Sequence, residues 1–167
     1  VETMDPVLHP NFVSEYTDDD LASNSLIVVG ENRSKVIPYA DMFESTINYQ
    51  TYQYETTGFD GEGQVTSAIS YVTTDSLPVM YTITGHEEAT MTDDMKSAIE
   101  KENIEMKDLN LLTEESVPDD ADCVMLFSPQ NDLSEEEADK LITYMENGGK
   151  AVIITSYSDK EMPNLQK

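Results

Sequence analysis

The chain has no tryptophan, one cysteine, two histidines and only nine lysines and arginines in 167 residues. Each shortage closes a class of function. The lone Cys123 cannot form an internal disulfide, and the paired Cys-x-x-Cys and His-Glu-x-x-His spacings of zinc sites are missing. The few cations face 34 aspartates and glutamates, for a net charge of −25. A field of that sign repels nucleic-acid phosphates and anionic headgroups, so no nucleic-acid partner is expected. The acidic surplus is spread through the predicted helices and turns, as on a solvated surface of an extracellular or salt-exposed domain. No apolar run approaches the ~20 residues of a membrane span, and no signal-peptide pattern opens the chain. The start at Val1-Glu2-Thr3-Met4 reads as a piece cut from a longer protein.

What is present is organised around residues 79–88. Val79 to Thr84 is apolar and β-branched, breaks at Gly85-His86-Glu87-Glu88, and is followed by the helix-start pattern Thr92-Asp93-Asp94-Met95. A strand that ends in glycine and feeds a helix is the first half of a βαβ unit. Loops at the carboxyl ends of such strands are where ligands and partners sit.

Ahead of this stretch, residues 1–24 contain Pro6, Pro10 and Asp18-Asp19-Asp20 and predict a loosely structured lead-in with one short strand or helical turn. Two β-rich runs, 26–29 and 35–37, flank Gly30-Glu31-Asn32-Arg33 and predict a hairpin; a helical turn over 39–44 follows. Residues 47–56 alternate, with Tyr52 and Tyr54 on one face. Four of the nine tyrosines lie between 39 and 54, which invites carbohydrate stacking, but a half-buried strand covered by its own aromatics is favoured. The glycines at 58, 61 and 63 place a domain boundary after residue 57, between an N-terminal hairpin segment (1–57) and an α/β domain (58–167).

Beyond it, Val65, Ala68, Ile69 and Val72 form one helical face. A helix of about 92–102 should bury Met95, Ala98 and Ile99, with Asn103 as a left-handed residue past its end. Residues 105–112 alternate imperfectly, as an edge strand would. Cys123 to Phe127 is apolar throughout, as in a strand covered on both faces, so Cys123 should be a buried, inert thiol. Ser134-Glu135-Glu136-Glu137 is a capping box with Leu133 and Ala138 as its staple, ahead of a buried stripe of Ala138, Leu141, Ile142 and Met145. Gly148-Gly149 precedes the last strand, 151–154. The order β-α-β-β-α-β predicts a mostly parallel sheet covered by helices on both faces, with 79–84, 123–127 and 151–154 central.

Several pieces resemble the extracytoplasmic domain of the GldG-like auxiliary proteins of ABC-type transport systems. They are Gln64-Val65-Thr66-Ser67-Ala68-Ile69; Tyr81 to Glu87; and Pro118-Asp119-Asp120-Ala121-Asp122 leading through Ser128-Pro129-Gln130 to Gly148-Gly149-Lys150. The lead-in from Asp5-Pro6 to Pro10, Tyr16, and the hairpin with Arg33 and Lys35 are similar to the family's upstream segment. The resemblance implies a three-layer α/β sandwich, flavodoxin-like and akin to class I glutamine amidotransferases. It also implies a bacterial cell-membrane protein, anchored through segments outside this sequence, with this part on the extracytoplasmic side. Its partners would be an ABC permease and a separate ATPase; some family members belong to gliding-motility machinery. One departure is local: the family tends to have Gly-His-Gly-Glu, and Glu87 stands where the second glycine would be.

The residues themselves argue against chemistry. Gly85-His86-Glu87-Glu88 has one glycine and two carboxylates where a nucleotide loop needs several glycines or Gly-Lys-Ser/Thr. The nucleophile elbow of a hydrolase would fall at Phe127-Ser128-Pro129-Gln130-Asn131, where Pro129 holds Ser128 extended and removes an amide that could serve an oxyanion. His86 is a lone imidazole, read as a turn side chain bonded to nearby backbone. No catalytic residue, metal or cofactor is expected. Ligand or partner contacts are expected at Thr84, Gly85, His86, Glu87, Ser128, Gln130, Asn131 and Ser156. The primary reading is a non-enzymatic interaction domain. Its rival is a ligand-binding or hydrolytic α/β domain using the strand-end cleft near Gly85, Ser128 and Ser156.

Overall fold

The computed structural model describes residues 1–5, 7–18 and 20–167. Pro6 of the lead-in and the middle residue of Asp18-Asp19-Asp20 lie outside the described residues. The chain divides into two compact units, Val1–Ser76 and Leu77–Lys167.

The first unit opens with a single helical turn, α1 (Pro10–Val13). The expected hairpin follows as β1 (Leu26–Val29) against antiparallel β2 (Ser34–Ile37). A 3-10 turn, Tyr39–Met42, leads into a second hairpin, β3 (Phe43–Asn48) and β4 (Gln53–Phe59), with a register shift between Glu44 and Ser45. Helix α2 (Gly61–Thr73) packs on β1 and β2, and Ala68 joins Ile37 and Met42 in a small core. This packing corrects the boundary expected after residue 57. The glycines at 58, 61 and 63 lie inside β4 and α2, and the unit closes only after Ser76.

Two further expectations fail here for one reason, that periodicity names a face but not its cover. Ile69 is 49% exposed despite its place on the apolar stripe of α2. The 47–56 segment is two strands and a turn, not one half-buried strand. Tyr52 occupies the turn at φ +55, and Tyr49, Tyr52 and Tyr54 are each at least 75% exposed.

The second unit is a mixed α/β body built on a four-stranded, all-parallel sheet. Its strands are β5 (Val79–Ile83), β6 (Glu105–Leu109), β7 (Cys123–Phe127) and β8 (Ala151–Ile154), in the spatial order β6-β5-β7-β8. Helix α3 (Asp93–Lys101) connects β5 to β6, and α4 (Glu135–Glu146) connects β7 to β8. Pairing of Tyr81 with Val124 and of Ile83 with Leu109 puts these residues on one face. There they join Leu111, Val117, Leu133 and Leu141 in the main core. Met80 and Met125, of opposite parity, are buried on the other face.

Both helices start as their sequences require. Thr92 accepts the Met95 N–H, and Ser134 forms the complete capping box with Glu137. Asn103 takes φ +58, and the Ile104 N–H reaches the Ile99 carbonyl at 3.4 Å, which closes α3 as a Schellman motif. The 105–109 strand is at an edge, as expected. Strand β8 is not central: among the described residues it pairs only with β7, and all four of its residues are exposed. Helix α3 buries no residue, so Met95 and Ala98 are exposed, and Met145 of α4 is 40% exposed. Cys123 is half-buried rather than buried, because it starts β7 at the rim of the sheet.

Candidate functional site

Strands β5 and β7 are neighbours, but their crossovers lead to opposite flanks: β5 to β6 on one side, β7 to β8 on the other. At such a reversal the loops that follow the two strands diverge and leave a crevice. Those loops are residues 84–88 and 128–131.

Gly85 leaves β5 at φ +119, a conformation that side chains resist. This turn aims two successive amides at one point, an arrangement that binds anions. The anion present is the chain's own. The Gly85 N–H donates to Glu88 Oε2 at 3.1 Å, and the His86 N–H donates to both Glu88 oxygens at 3.0 and 3.1 Å. Glu87, between them, adopts φ +56, the left-handed geometry that a glycine takes readily. Its carboxylate turns outward, 3.9 Å from Lys160 Nζ.

His86 is only 4% exposed, and its ring lies between two carboxylates. Nδ1 is 3.2 Å from Glu88 Oε1, and Nε2 is 3.2 Å from Glu137 Oε2. A neutral ring can donate to one of these partners, and a doubly protonated ring to both. The expected bonding of this side chain to nearby backbone is therefore replaced by bonding to acids, one of them 51 residues away.

Glu137, the third residue of α4, is 1% exposed. Its Oε2 accepts the Ser134 N–H at 2.9 Å and the Ser134 hydroxyl at 2.8 Å. Its Oε1 lies 3.2 Å from His86 Nε2, close enough for ion pairing but outside hydrogen-bond alignment. Burial pushes this carboxyl up, yet the Ser134 amide and hydroxyl and His86 together outweigh it and hold it below the usual glutamate value.

Ser128, after β7, takes φ +50 rather than the extended geometry expected before Pro129. The bias against helical geometry before proline is overridden by two bonds: the Ser128 N–H reaches the Ile154 carbonyl at 2.7 Å, and the Ala89 N–H reaches the Ser128 carbonyl at 3.2 Å. The Gln130 and Asn131 amides both donate to the His86 carbonyl, at 2.9 and 3.1 Å, joining the two loops. Gln130 Nε2 contacts the Ser128 carbonyl at 3.1 Å and Ser156 Oγ at 3.3 Å. Asn131 Oδ1 accepts from Lys160 Nζ at 2.6 Å. Thr84 stands apart, bonding toward β6 through the Leu109 carbonyl.

The expected residues other than Thr84 thus meet at one end of the sheet. Two groups that complete the site, Glu137 and Lys160, were not foreseen. Glu137 has a visible role in its capping box, but nothing in the sequence ties it to His86.

The chemistry open to this arrangement is narrow. A serine nucleophile needs a base within roughly 2.6–3.2 Å and vacant donors for its oxyanion. Both ring nitrogens of His86 face carboxylates, and the paired amides at Gly85 and His86 already hold one. Among the described residues, no group of three or more His, Cys, Asp or Glu side chains is arranged to hold a metal ion. No family model matches the chain, and no curated protein or solved structure matches it.

Proposed function

We propose that this chain is a non-enzymatic, extracytoplasmic interaction domain of an ABC-transporter auxiliary subunit of the GldG-like type. In this reading it contacts the permease or another envelope protein, and the anchoring segments and the ATPase lie elsewhere. The sheet is read as the core of a flavodoxin-like three-layer sandwich, for which the strand order, second-first-third-fourth, is the usual one. The observation that carries the functional reading is the Glu88 carboxylate seated on the Gly85 and His86 amides. The position where such folds hold a ligand is filled by the protein itself.

The test is a pull-down of the full-length membrane protein: an ABC permease and ATPase should accompany it. Recovery of the protein without either would overturn the reading.

One observation favours the hydrolytic rival, the left-handed backbone of the buried Ser128 at the end of a central strand. Strained turns of that kind present nucleophiles in hydrolases. In the primary reading the turn is structural, and neither Ser128→Ala nor His86→Ala removes any esterase or amidase turnover. Turnover by the wild type that disappears in Ser128→Ala would establish the rival.

A further inference from the structure

A groove of about 640 Å³ runs along α4, from Glu136 in its first turn to Gly149 beyond its end, beside the 115–121 loop. That volume is within the range of ligand clefts, roughly 300–1,000 Å³. Pro118, Ala121 and the Tyr144 ring line it and supply apolar surface. The ring is fixed in place: its hydroxyl donates to the Ala121 carbonyl at 3.2 Å and accepts the Lys150 N–H at 3.3 Å. It also lies directly over Gly149, where a Cβ would meet the ring at 2.4 Å, so only glycine fits beneath it.

Three observations point to a cation in this groove. Glu115, Asp119 and Asp139 line it, and no cation among the described residues pairs with any of them. The carboxyl end of α4 opens into it at Asn147, Gly148 and Gly149, and the last turn of α4 has no basic residue, whereas that of α3 has Lys101. No side chain of the last turn of α4 therefore offsets its negative pole. The groove's own ammonium group is already committed. Lys140 Nζ is bound by the Leu111 carbonyl at 2.9 Å, the Glu114 carbonyl at 3.0 Å and Glu136 at 2.9 Å. Those contacts use all three of its donors, and nothing is left for the remaining acids.

We propose that this groove docks an extended, arginine- or lysine-bearing segment of a partner protein. The aliphatic stems lie along Pro118 and Tyr144, and the charged heads reach Asp119, Asp139 and the carboxyl end of α4. The proposal deepens the interaction reading and rests on it for the existence of a partner.

The experiment is an NMR titration of the isotope-labelled chain with acetyl-Ala-Arg-Ala-Arg-Ala-amide. It is run at about 0.15 M ionic strength, where the Debye length of about 8 Å suppresses general attraction to an acidic surface. Amide shifts should be confined to 115–121 and 136–149. The double variant Asp119→Asn, Asp139→Asn should bind about tenfold more weakly. An equal loss of charge at Glu100→Gln, Glu102→Gln should change affinity less than about twofold. Shifts spread over the whole acidic surface, equal weakening by both variants, or no binding would each overturn the proposal. The same Asp119 and Asp139 changes in the full-length protein separate the two readings. Partners retained by that variant would refute the groove alone. Peptide binding at the groove together with an empty pull-down would refute the transporter assignment and leave the groove standing.

Discussion

Strands β7 and β8 are adjacent, parallel and in register, from Val124 beside Ala151 to Phe127 beside Ile154. Both are apolar along their length, yet their surroundings are opposite. Val124, Met125 and Leu126 are at most 4% exposed, while Val152, Ile153 and Ile154 range from 37% to 48%. The difference lies in neighbours: β7 has β5 and β8 on its flanks and Leu141 of α4 packed in the core beside it. Among the described residues, strand β8 has β7 alone. An apolar run thus identifies a strand without determining its depth. The first turn of α4 repeats the lesson with charges, since Glu137 is sealed against His86 while the Glu136 side chain is 80% exposed.

The sharpest test of this contrast is the pair of adjacent glutamates. Glu137→Ala removes the carboxylate that reaches both Ser134 and His86, and should cost about 3–5 kcal/mol of stability, as when one partner of a buried pair is lost. Glu136→Ala should stay within about 0.5 kcal/mol. Denaturant unfolding of the two variants checks this, and equal losses would erase the distinction.

Next come the strands themselves. Leu126→Ala should destabilise the protein by about 3 kcal/mol through a buried cavity. Ile153→Ala should cost less than about 1 kcal/mol, because water already reaches the site. A large loss at Ile153 would mean that β8 is covered in solution.

The pH dependence of Glu137 gives a smaller effect with a definite sign. Its folded-state pKa lies below the unfolded glutamate value of about 4.3. Its contribution is therefore complete above that value and is lost as pH falls through the folded one. The stability gap between wild type and Glu137→Gln should hold steady from neutral pH to about pH 5 and then narrow in acid. A gap that widened on acidification would reverse the assignment.

The smallest effect is at the rim shared by the two strands. Burial pushes the Cys123 thiol up, and Lys150, just before β8, partly opposes it. Thiol labelling of the native chain at neutral pH should be slower than in the unfolded chain, and slower still in Lys150→Ala. A native rate equal to the unfolded one would show that the rim of β7 is open.

Short-range rules settled the local events. Both helix caps, the left-handed Asn103, the first hairpin and the strands at 79–83, 105–109, 123–127 and 151–154 follow from short-range rules of hydrogen bonding, periodicity and turn geometry. The meeting of Gly85, His86, Ser128 and Gln130 was also legible, because parallel strands bring their following loops to one end. Long-range packing set what those rules do not contain. It sealed Glu137 against a histidine 51 residues away and turned Ser128 left-handed through the Ile154 carbonyl. It also grouped α2 with the first hairpin, and left β8 and the tyrosines of the second hairpin exposed. The physical reason is common to all of these. Burial and charge pairing depend on which surface arrives from a distant part of the chain, whereas caps, turns and periods are settled within a few residues.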